Sequence, residues 1–392
     1  MQKRIACLDL DAFFVEAALL ENPEFRGLPV VVGGIGNRGV VCSASYEARK
    51  FGITSAMPVW LAKNRCKDLR ILPVPDNIGK LSRSVYQDLT EFCPVVEQAS
   101  VDEFYLDFTG CDRIYRHNLD IAETIAVQLS RKYSLPSTVG IGTNKLLAKI
   151  ATNLGKPRGI LEVLPGHESA FLANLPIKEI PGIGKKMEPT LNSMGVFFVK
   201  DVLLLPIEAW IAAFGKTGEF IFNAAHGIST SQVVANENRP LRKGISRDST
   251  LGEDTASRSE LLSHLSRLVE KAVYQLQVEQ LSCAGLTVKI KYADFITRSK
   301  STRISRTNNE KDIFAAAVNL FSSLFSRRIR VRMVGVYLGA IQPGGITRDL
   351  WDLLLPEYKE NLPEVIKIIR AKFGFDAILR SRSVTSRKGE AL

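Results

Sequence analysis

The sequence predicts a multidomain α+β protein, and three patterns along the chain carry that prediction. Short apolar runs of strand length alternate with helical patterns from residue 4 to about 155. A helix-rich stretch punctuated by Pro and Gly follows, from about 166 to 232. Beyond a polar, Pro-containing linker at 233–243, residues 244–340 read strand, helix, strand, strand, helix, strand. A chain of 392 residues has length for about two to four compact units. With 45% hydrophobic and 24% charged residues it reads as globular, not as a disordered chain or a fibre.

The first strand is RIACLDL at 4–10, an apolar run that ends in an acid. LPVVVGG at 28–34 and GVVCSA at 39–44 are two more, joined by a Gly-rich turn. Helices are expected at 46–64 and 77–93. VVEQASVDEFYLDFTG, 95–110, holds two short strands hinged near Ser100, with Asp102 and Glu103 at the turn. A helix at 114–133, the strand STVGIG at 137–142 and a helix at 144–155 complete this part. In the last part strands are expected at 244–251, 284–293, 299–306 and 329–340, with helices at 258–280 and 310–325. The first of these helices sets Leu261, Leu265, Leu268, Val269, Ala272 and Leu276 on one face. The order βαββαβ is that of the split ferredoxin-like unit, a four-stranded sheet with two helices on one face and the other face free. An amphipathic helix at 360–373 lies in the tail.

A formal net charge of +11 suggests a polyanionic partner, although a solvated basic surface has the same total. The six cysteines, at 7, 42, 66, 93, 111 and 283, include no C-x-x-C pair, and the four histidines are scattered. That argues against a zinc site or a disulfide framework and fits a reducing cytosol. Acids at 9 and 11 interrupt any signal-peptide core, and no apolar stretch is long enough for a bilayer. A soluble cytoplasmic protein with no membrane contact is expected.

Asp9 closes the first strand, and Asp102 and Glu103 sit at a strand–turn junction some ninety residues later. Two-metal phosphoryl transfer needs carboxylates from separate strands, converging so that two divalent cations sit close together. Mg²⁺ prefers hard oxygens and keeps waters and substrate phosphates, so few carboxylates suffice. Taken as bare D-x-D or D-E motifs, the same acids read as surface charges at strand ends. Tyr46 and Arg49, in SASYEARKFG, share a helix face at i, i+3, and Ser43 precedes them. A phenol, a guanidinium and a hydroxyl so placed could hold a triphosphate, as could Lys156 in LGKPRG.

IPGIGKK at 180–186 has the form of a helix–hairpin–helix, or else of a plain tight turn. In the first reading Gly182 and Gly184 let backbone N–H groups approach a phosphate, beside Lys185 and Lys186. From 288 to 306 there are six cations (Lys289, Lys291, Arg298, Lys300, Arg303 and Arg306) against Asp294 alone. Lys289 and Lys291 alternate with Val288, Ile290 and Tyr292, and Arg328, Arg330 and Arg332 again alternate with apolar residues. Period-two placement puts the cations on one sheet face, suited to gripping phosphates without reading bases.

These blocks together resemble the Y family of translesion DNA polymerases, in its bacterial DNA polymerase IV branch. They are DLDAFF (9–14), RGVVCSASYEARKFGITSAMP (38–58), SVDEFYLDFTG (100–110), GIGTNKLLAKIATNLGKPRG (140–159) and IPGIGKK. The resemblance covers about 1–340 and the tail more loosely. It implies a right-hand architecture: a ferredoxin-like palm from 1–11 and 76–165, small fingers from 12–75, and a helical thumb with the helix–hairpin–helix from 166–232. A βαββαβ little finger over 244–341 and a tail over 342–392 follow the 233–243 linker. Asp9, Asp102 and Glu103 fall on the family's metal-binding carboxylates, and Leu10 on the residue that lends a carbonyl. The implied cofactor is a pair of Mg²⁺ ions, with Mn²⁺ as a substitute. Phe14 falls on the steric gate that selects deoxynucleotides, and Ser43, Tyr46, Arg49 and Lys156 on the triphosphate contacts. The implied partners are primer–template DNA and dNTPs, acted on by a monomer.

Two positions depart from the family pattern. Ala18 stands where a glutamate is usual, and Ile78 where a tyrosine is common. The segment TRDLWDLL at 347–354 loosely resembles a sliding-clamp-binding peptide, with Leu350 and Trp351 to fill the clamp's pocket; ordinary packing is the other reading. The expected function is error-prone translesion synthesis by two-metal nucleotidyl transfer from dNTPs to a primer 3′-OH. One alternative is a non-catalytic DNA-binding relative that recruits other polymerases, but such relatives usually lose carboxylates that are all present here. Another is a palm-type nucleotide cyclase, which would need neither the helix–hairpin–helix nor a basic sheet.

Overall fold

Strand β1 (Ile5–Leu10) is buried along its whole length because it is the middle strand of a five-stranded sheet covered on both faces. The computed structural model describes residues 3–34, 36, 38–111, 114–115, 117–344 and 361–384. In chain order after β1 come α1 (Phe13–Glu21), β2 (Val30–Gly33), β3 (Val41–Ala44), α2 (Tyr46–Arg49), α3 (Val59–Arg65) and β4 (Arg70–Leu72). Then follow α4 (Ile78–Phe92), β5 (Val96–Gln98), β6 (Glu103–Asp107), α5 (Asn118–Tyr133), β7 (Ser137–Gly142), α6 (Lys145–Gly155) and β8 (Ile160–Glu162). Residue contacts divide the chain into two units, 1–239 and 240–392.

In the first unit the main sheet runs β5-β6-β1-β7-β8. Its first four strands, with α4 and α5 between them in sequence, form a ferredoxin-like βαββαβ layer. Ala6, Leu8 and Leu10 point into a core shared with Val85, Leu89 and Ile125 of the two helices. Their alternates, Ile5 and Cys7, face α6 on the other side. Gly140 on β7 lets that helix come close, since a Cβ there would lie 2.2 Å from the Ala148 carbonyl oxygen. A second sheet, β3-β2-β4, has its own core of Val31, Val41, Ile53 and Val59.

The single helix expected at 46–64 is two helices. Gly52 turns the chain with φ +72°, and Pro58 starts α3 afresh. Strands β4 and β8, three residues each, were not read in the sequence.

Helices α7 (Glu168–Ala173), α8 (Met187–Ser193), α9 (Val199–Val202), α10 (Ile207–Phe214) and α11 (Lys216–Ala225) gather around Trp210, Leu172, Leu191 and Ile221. The first half of the expected linker is fastened down. The Val234 N–H donates to Glu97 Oε2 at 3.0 Å, Asn236 Oδ1 accepts from the Gln98 N–H at 3.0 Å, and Arg239 lies 3.7 Å from Glu97. All three contacts cover edge strand β5.

The second unit contains β9 (Gly244–Thr255), α12 (Arg258–Val278), β10 (Leu281–Tyr292), β11 (Thr297–Thr307), α13 (Glu310–Leu324), β12 (Val331–Gly339), β13 (Gln342–Pro343) and α14 (Asn361–Phe373). The βαββαβ order and the placement of both helices on one face are as expected. The strand order is not that of the split ferredoxin-like unit. It runs β11-β10-β12-β9, with the first and third strands at the edges instead of the second and fourth. Hydrophobic load explains the exchange. Leu286, Val288, Ile290 and Tyr292 on β10, and Val331, Val334, Val336 and Leu338 on β12, are buried under the helices. The polar strands β9 and β11 have little to bury and take the edges.

The C-terminal segment packs on α12 through a buried ion pair, Arg370 Nη2 to Glu270 Oε2 at 2.7 Å, with Glu270 fully inaccessible. Ser383 donates to the other carboxylate oxygen. The clamp-like segment with Leu350 and Trp351 lies outside the described residues. Truncating one member of a buried pair strands the other charge. Glu270→Ala is therefore expected to cost about 3–5 kcal/mol in urea unfolding, and Glu270→Met with Arg370→Leu to recover most of that loss.

Candidate active site and nucleic-acid interface

Backbone pairing brings the acids together. Asp9 lies directly opposite Glu103 in the β1–β6 register, and the Leu10 N–H donates to the Asp102 carbonyl at 2.9 Å. Ser100 organises the turn: its Oγ accepts from the N–H of Asp102 at 3.2 Å and of Glu103 at 3.1 Å, and donates to the Asp102 carboxylate. Helix α6 is capped by Asn144, whose Oδ1 accepts from the Leu147 N–H at 3.1 Å, and it delivers two ammonium groups. Lys149 Nζ lies 3.4 Å from Asp9 Oδ2 and donates to Glu103 Oε2. Lys156, just past the helix end, is 2.5 Å from Asp9 Oδ1.

Asp9 and Glu103 therefore converge on one cation, while the Asp102 carboxylate is turned toward Ser100. Among the described residues no group of three or more His, Cys, Asp or Glu side chains is gathered as a metal cluster. Lys149 was missed in the sequence. Its signal was the seven-residue interval to Lys156, two helical turns along one face. Burial works against the charge on Lys149, but Cys7, Glu103 and Asp9 outweigh it and raise its pKa. The thiol of Cys7, 3.9 Å from Glu103 Oε1, is pushed up to about 12 by burial, with Glu103 adding to the effect.

Asp11 is 1% exposed and serves as a structural acceptor. It takes hydrogen bonds from Thr138 Oγ1 at 3.0 and 3.1 Å, from the Tyr46 hydroxyl at 3.1 Å and from the Arg158 N–H at 2.9 Å. Asp107 is similarly engaged, accepting from the Thr109 N–H at 2.9 Å. Arg49 lies over the Tyr46 ring, 4.3 Å from its centroid, and its Nε donates to the Ala44 carbonyl at 3.0 Å. Ser43 is buried on β3. Phe14, half-buried in the first turn of α1, sits edge-on to Phe13 with centroids 5.9 Å apart. The turn before it places Ala12 at φ +47°. On the same helix Ala18 is buried, and Glu16 pairs with Arg26 at 3.3 Å.

At 180–186 Ile183 is buried in the helical core, while Gly182 (φ +103°), Gly184, Lys185 and Lys186 are exposed. In the second unit Lys289, Lys291 and Arg303 share the face opposite the helices, Arg303 lying opposite Gly285. The expectation of one basic face is corrected for other cations. The hairpin register sets Arg298 opposite Ile290 and Lys300 opposite Val288, so both project to the helix side, at an exposed edge. Arg328 and Arg330 precede β12 in a bend held by Arg327 and Asp294, 2.6 Å apart. Arg332 lies at a bulge in β12, its guanidinium 4.8 Å from the Phe295 ring centroid. Lys289 is partly neutralised by Asp248 at 3.0 Å.

Acids on adjoining strands of a ferredoxin-like sheet, contacted by the ammonium groups of Lys149 and Lys156, have the arrangement of a palm-type nucleotidyltransferase. The impB/mucB/samB family matches over residues 8–153, its C-terminal domain over 242–349 and its HHH motif over 165–196. A DNA polymerase IV of Desulfatibacillum aliphaticivorans is 34% identical, over 96% of each chain. Among solved structures, a chimera of the Y-family polymerases Dbh and Dpo4 superposes with a TM-score of 0.77 at 26% identity, covering 87% of this chain and all of that one. An insertion ternary complex of Dbh DNA polymerase gives 0.61 at 25% identity, with the same coverage. The chain belongs to the Y family of translesion DNA polymerases, in its DNA polymerase IV group. It is a template-directed translesion DNA polymerase. No helix among the described residues is long and apolar enough to cross a membrane.

The Tyr46 phenol is pushed up to about 12, first by burial and then by Asp11. A raised acid stabilises the fold fully below its unfolded value of 10.0, and that contribution is lost as pH rises toward 12. Tyr46→Phe is expected to remove this loss between pH 10 and 12, as well as one late-titrating phenol in an ultraviolet titration. Retention of every late-titrating phenol would contradict the assignment.

Proposed function

We propose that Asp9, Asp102 and Glu103 hold the divalent metal of the polymerase reaction, with the Leu10 carbonyl as a further ligand. The supporting observation is that Asp9 and Glu103 already share one cationic nitrogen, so their oxygens suit a common cation. Hard carboxylate and carbonyl oxygens fit Mg²⁺, or Mn²⁺ in its place. Two such ions, when bound, would lower the pKa of the attacking primer 3′-OH and stabilise the leaving diphosphate. The Asp102 side chain would turn from Ser100 to join the other two.

The chain's own groups do the rest. Lys156, Arg49, Tyr46 and Ser43 grip the triphosphate, Arg49 offering two parallel N–H donors. Phe14 sets its ring where a ribose 2′-OH would stand and so admits deoxynucleotides. Residues 1–11 and 76–165 act as palm, 12–75 as fingers, 166–232 as thumb and 244–341 as little finger. The exposed amides of Gly182 and Gly184, with Lys185 and Lys186, hold one stretch of DNA backbone. Lys291, Arg303 and Arg332, with Lys289, Arg328 and Arg330, hold another through phosphate contacts without base readout. The protein works as a cytoplasmic monomer, and Leu350 and Trp351 offer a clamp contact.

Primer extension tests the centre. Asp9→Asn and Glu103→Gln are each expected to slow extension at least about a hundredfold with the fold intact; full activity in either removes that residue from the site. Phe14→Ala is expected to raise ribonucleotide incorporation, and unchanged sugar selectivity would dismiss it as the gate. Lys291→Ala with Arg303→Ala should flatten the salt dependence of DNA affinity by about 0.9 in log–log slope per lost contact. A slope equal to that of the unaltered protein would clear both residues of phosphate binding.

A further inference from the structure

We propose that Lys149 is a built-in competitor of the divalent metal, holding the carboxylates of Asp9 and Glu103 so that metal binds weakly until substrate phosphates arrive. This rests on the reading of those carboxylates as metal ligands.

Three observations carry it. Lys149 Nζ contacts oxygens of both Asp9 and Glu103, which lie opposite each other on β1 and β6. Its side chain is only 20% exposed and that of Asp9 10%, so water screens the attraction poorly. Lys156 occupies the remaining Asp9 oxygen at 2.5 Å. Any cation reaching this carboxylate pair must share or displace ammonium charge already in contact with it. A nucleotide changes the balance in two ways: its phosphates attract Lys156 away from Asp9, and they add oxygens to the metal's coordination. Metal loading then follows the nucleotide, and an enzyme without substrate holds little metal.

A positioning role of this kind has a signature that a merely structural lysine lacks. Removing the charge should tighten metal binding, whereas losing a structural support would weaken it or leave it unchanged. The test titrates the full-length protein, without DNA or nucleotide, with Mn²⁺ alone, and follows free Mn²⁺ by electron paramagnetic resonance. Lys149→Met is expected to bind Mn²⁺ about tenfold more tightly than the unaltered protein, as loss of one poorly screened ion pair implies. Its melting temperature should be lower without metal and rise more steeply with Mn²⁺. Lys149→Gln, which keeps a polar group on Glu103, serves as the second variant if the methionine does not fold.

Equal or weaker Mn²⁺ affinity in the folded variant overturns the proposal. Adding Glu103→Gln to Lys149→Met should abolish the gain. If the gain survives, the metal sits elsewhere and the ligand assignment falls with the proposal. If Lys149→Met brings no gain while Glu103→Gln alone stops Mn²⁺-supported extension, the ligand assignment stands and the competition does not.

Discussion

The register of β1 between β6 and β7 is the constraint on which the site depends. A slip of one residue would carry Ala6, Leu8 and Leu10 out of the helix-packed core and turn Asp9 to the wrong face. Apolar burial thus sets the position of a charge. The alternation that packs Leu8 and Leu10 against α4 and α5 leaves Asp9 on the face patrolled by α6. Glu103 is placed opposite it by the same hydrogen-bond ladder. Gly140 belongs to this arrangement, because without the close approach it permits, α6 could not bring Lys149 over the acids.

The second sheet shows a different use of the same rule. Its apolar strands β10 and β12 take the centre, and the polar β9 and β11 are left at the rims. Because β11 is an edge, its cations stay exposed whichever side they face, and Arg298 and Lys300 end up away from Lys289 and Lys291. Charge along a strand therefore says less about a basic surface than the register of the hairpin that carries it.

Elements long enough to show a period were legible in the sequence, and β7 at Ser137–Gly142 is the clearest case. The three-residue strands β4 and β8 were not, and neither was the break at Gly52 inside an otherwise helical pattern. The strand order around β10 escaped because element sequence alone permits two arrangements, and only the comparative burial of whole strands decides between them. At the site, the acids stood out because they fit converging metal carboxylates, and Lys156 because it stands in LGKPRG just past the helix. Lys149 did not, since a lysine on a helix reads as a solvated charge until the sheet beneath it is known. Partners distinguish Asp9 from Asp11 in the structure: Asp9 meets the ammonium groups of Lys149 and Lys156, whereas Asp11 is saturated by Thr138, Tyr46 and the Arg158 amide.

The buried thiol of Cys7 bears on which elements and oxidants the site admits. A thiolate beside Asp9 and Glu103 would make a soft corner, inviting zinc or copper in place of a hard cation. It would also be the first atom in the centre to react with peroxide, since the thiolate is the form that oxidises. Burial and the neighbouring Glu103 charge keep that sulfur protonated, with a pKa near 12. With the groups present here, the Cys7 sulfur sits 3.9 Å from the Glu103 carboxylate as a thiol, a poor ligand and a poor target for oxidants.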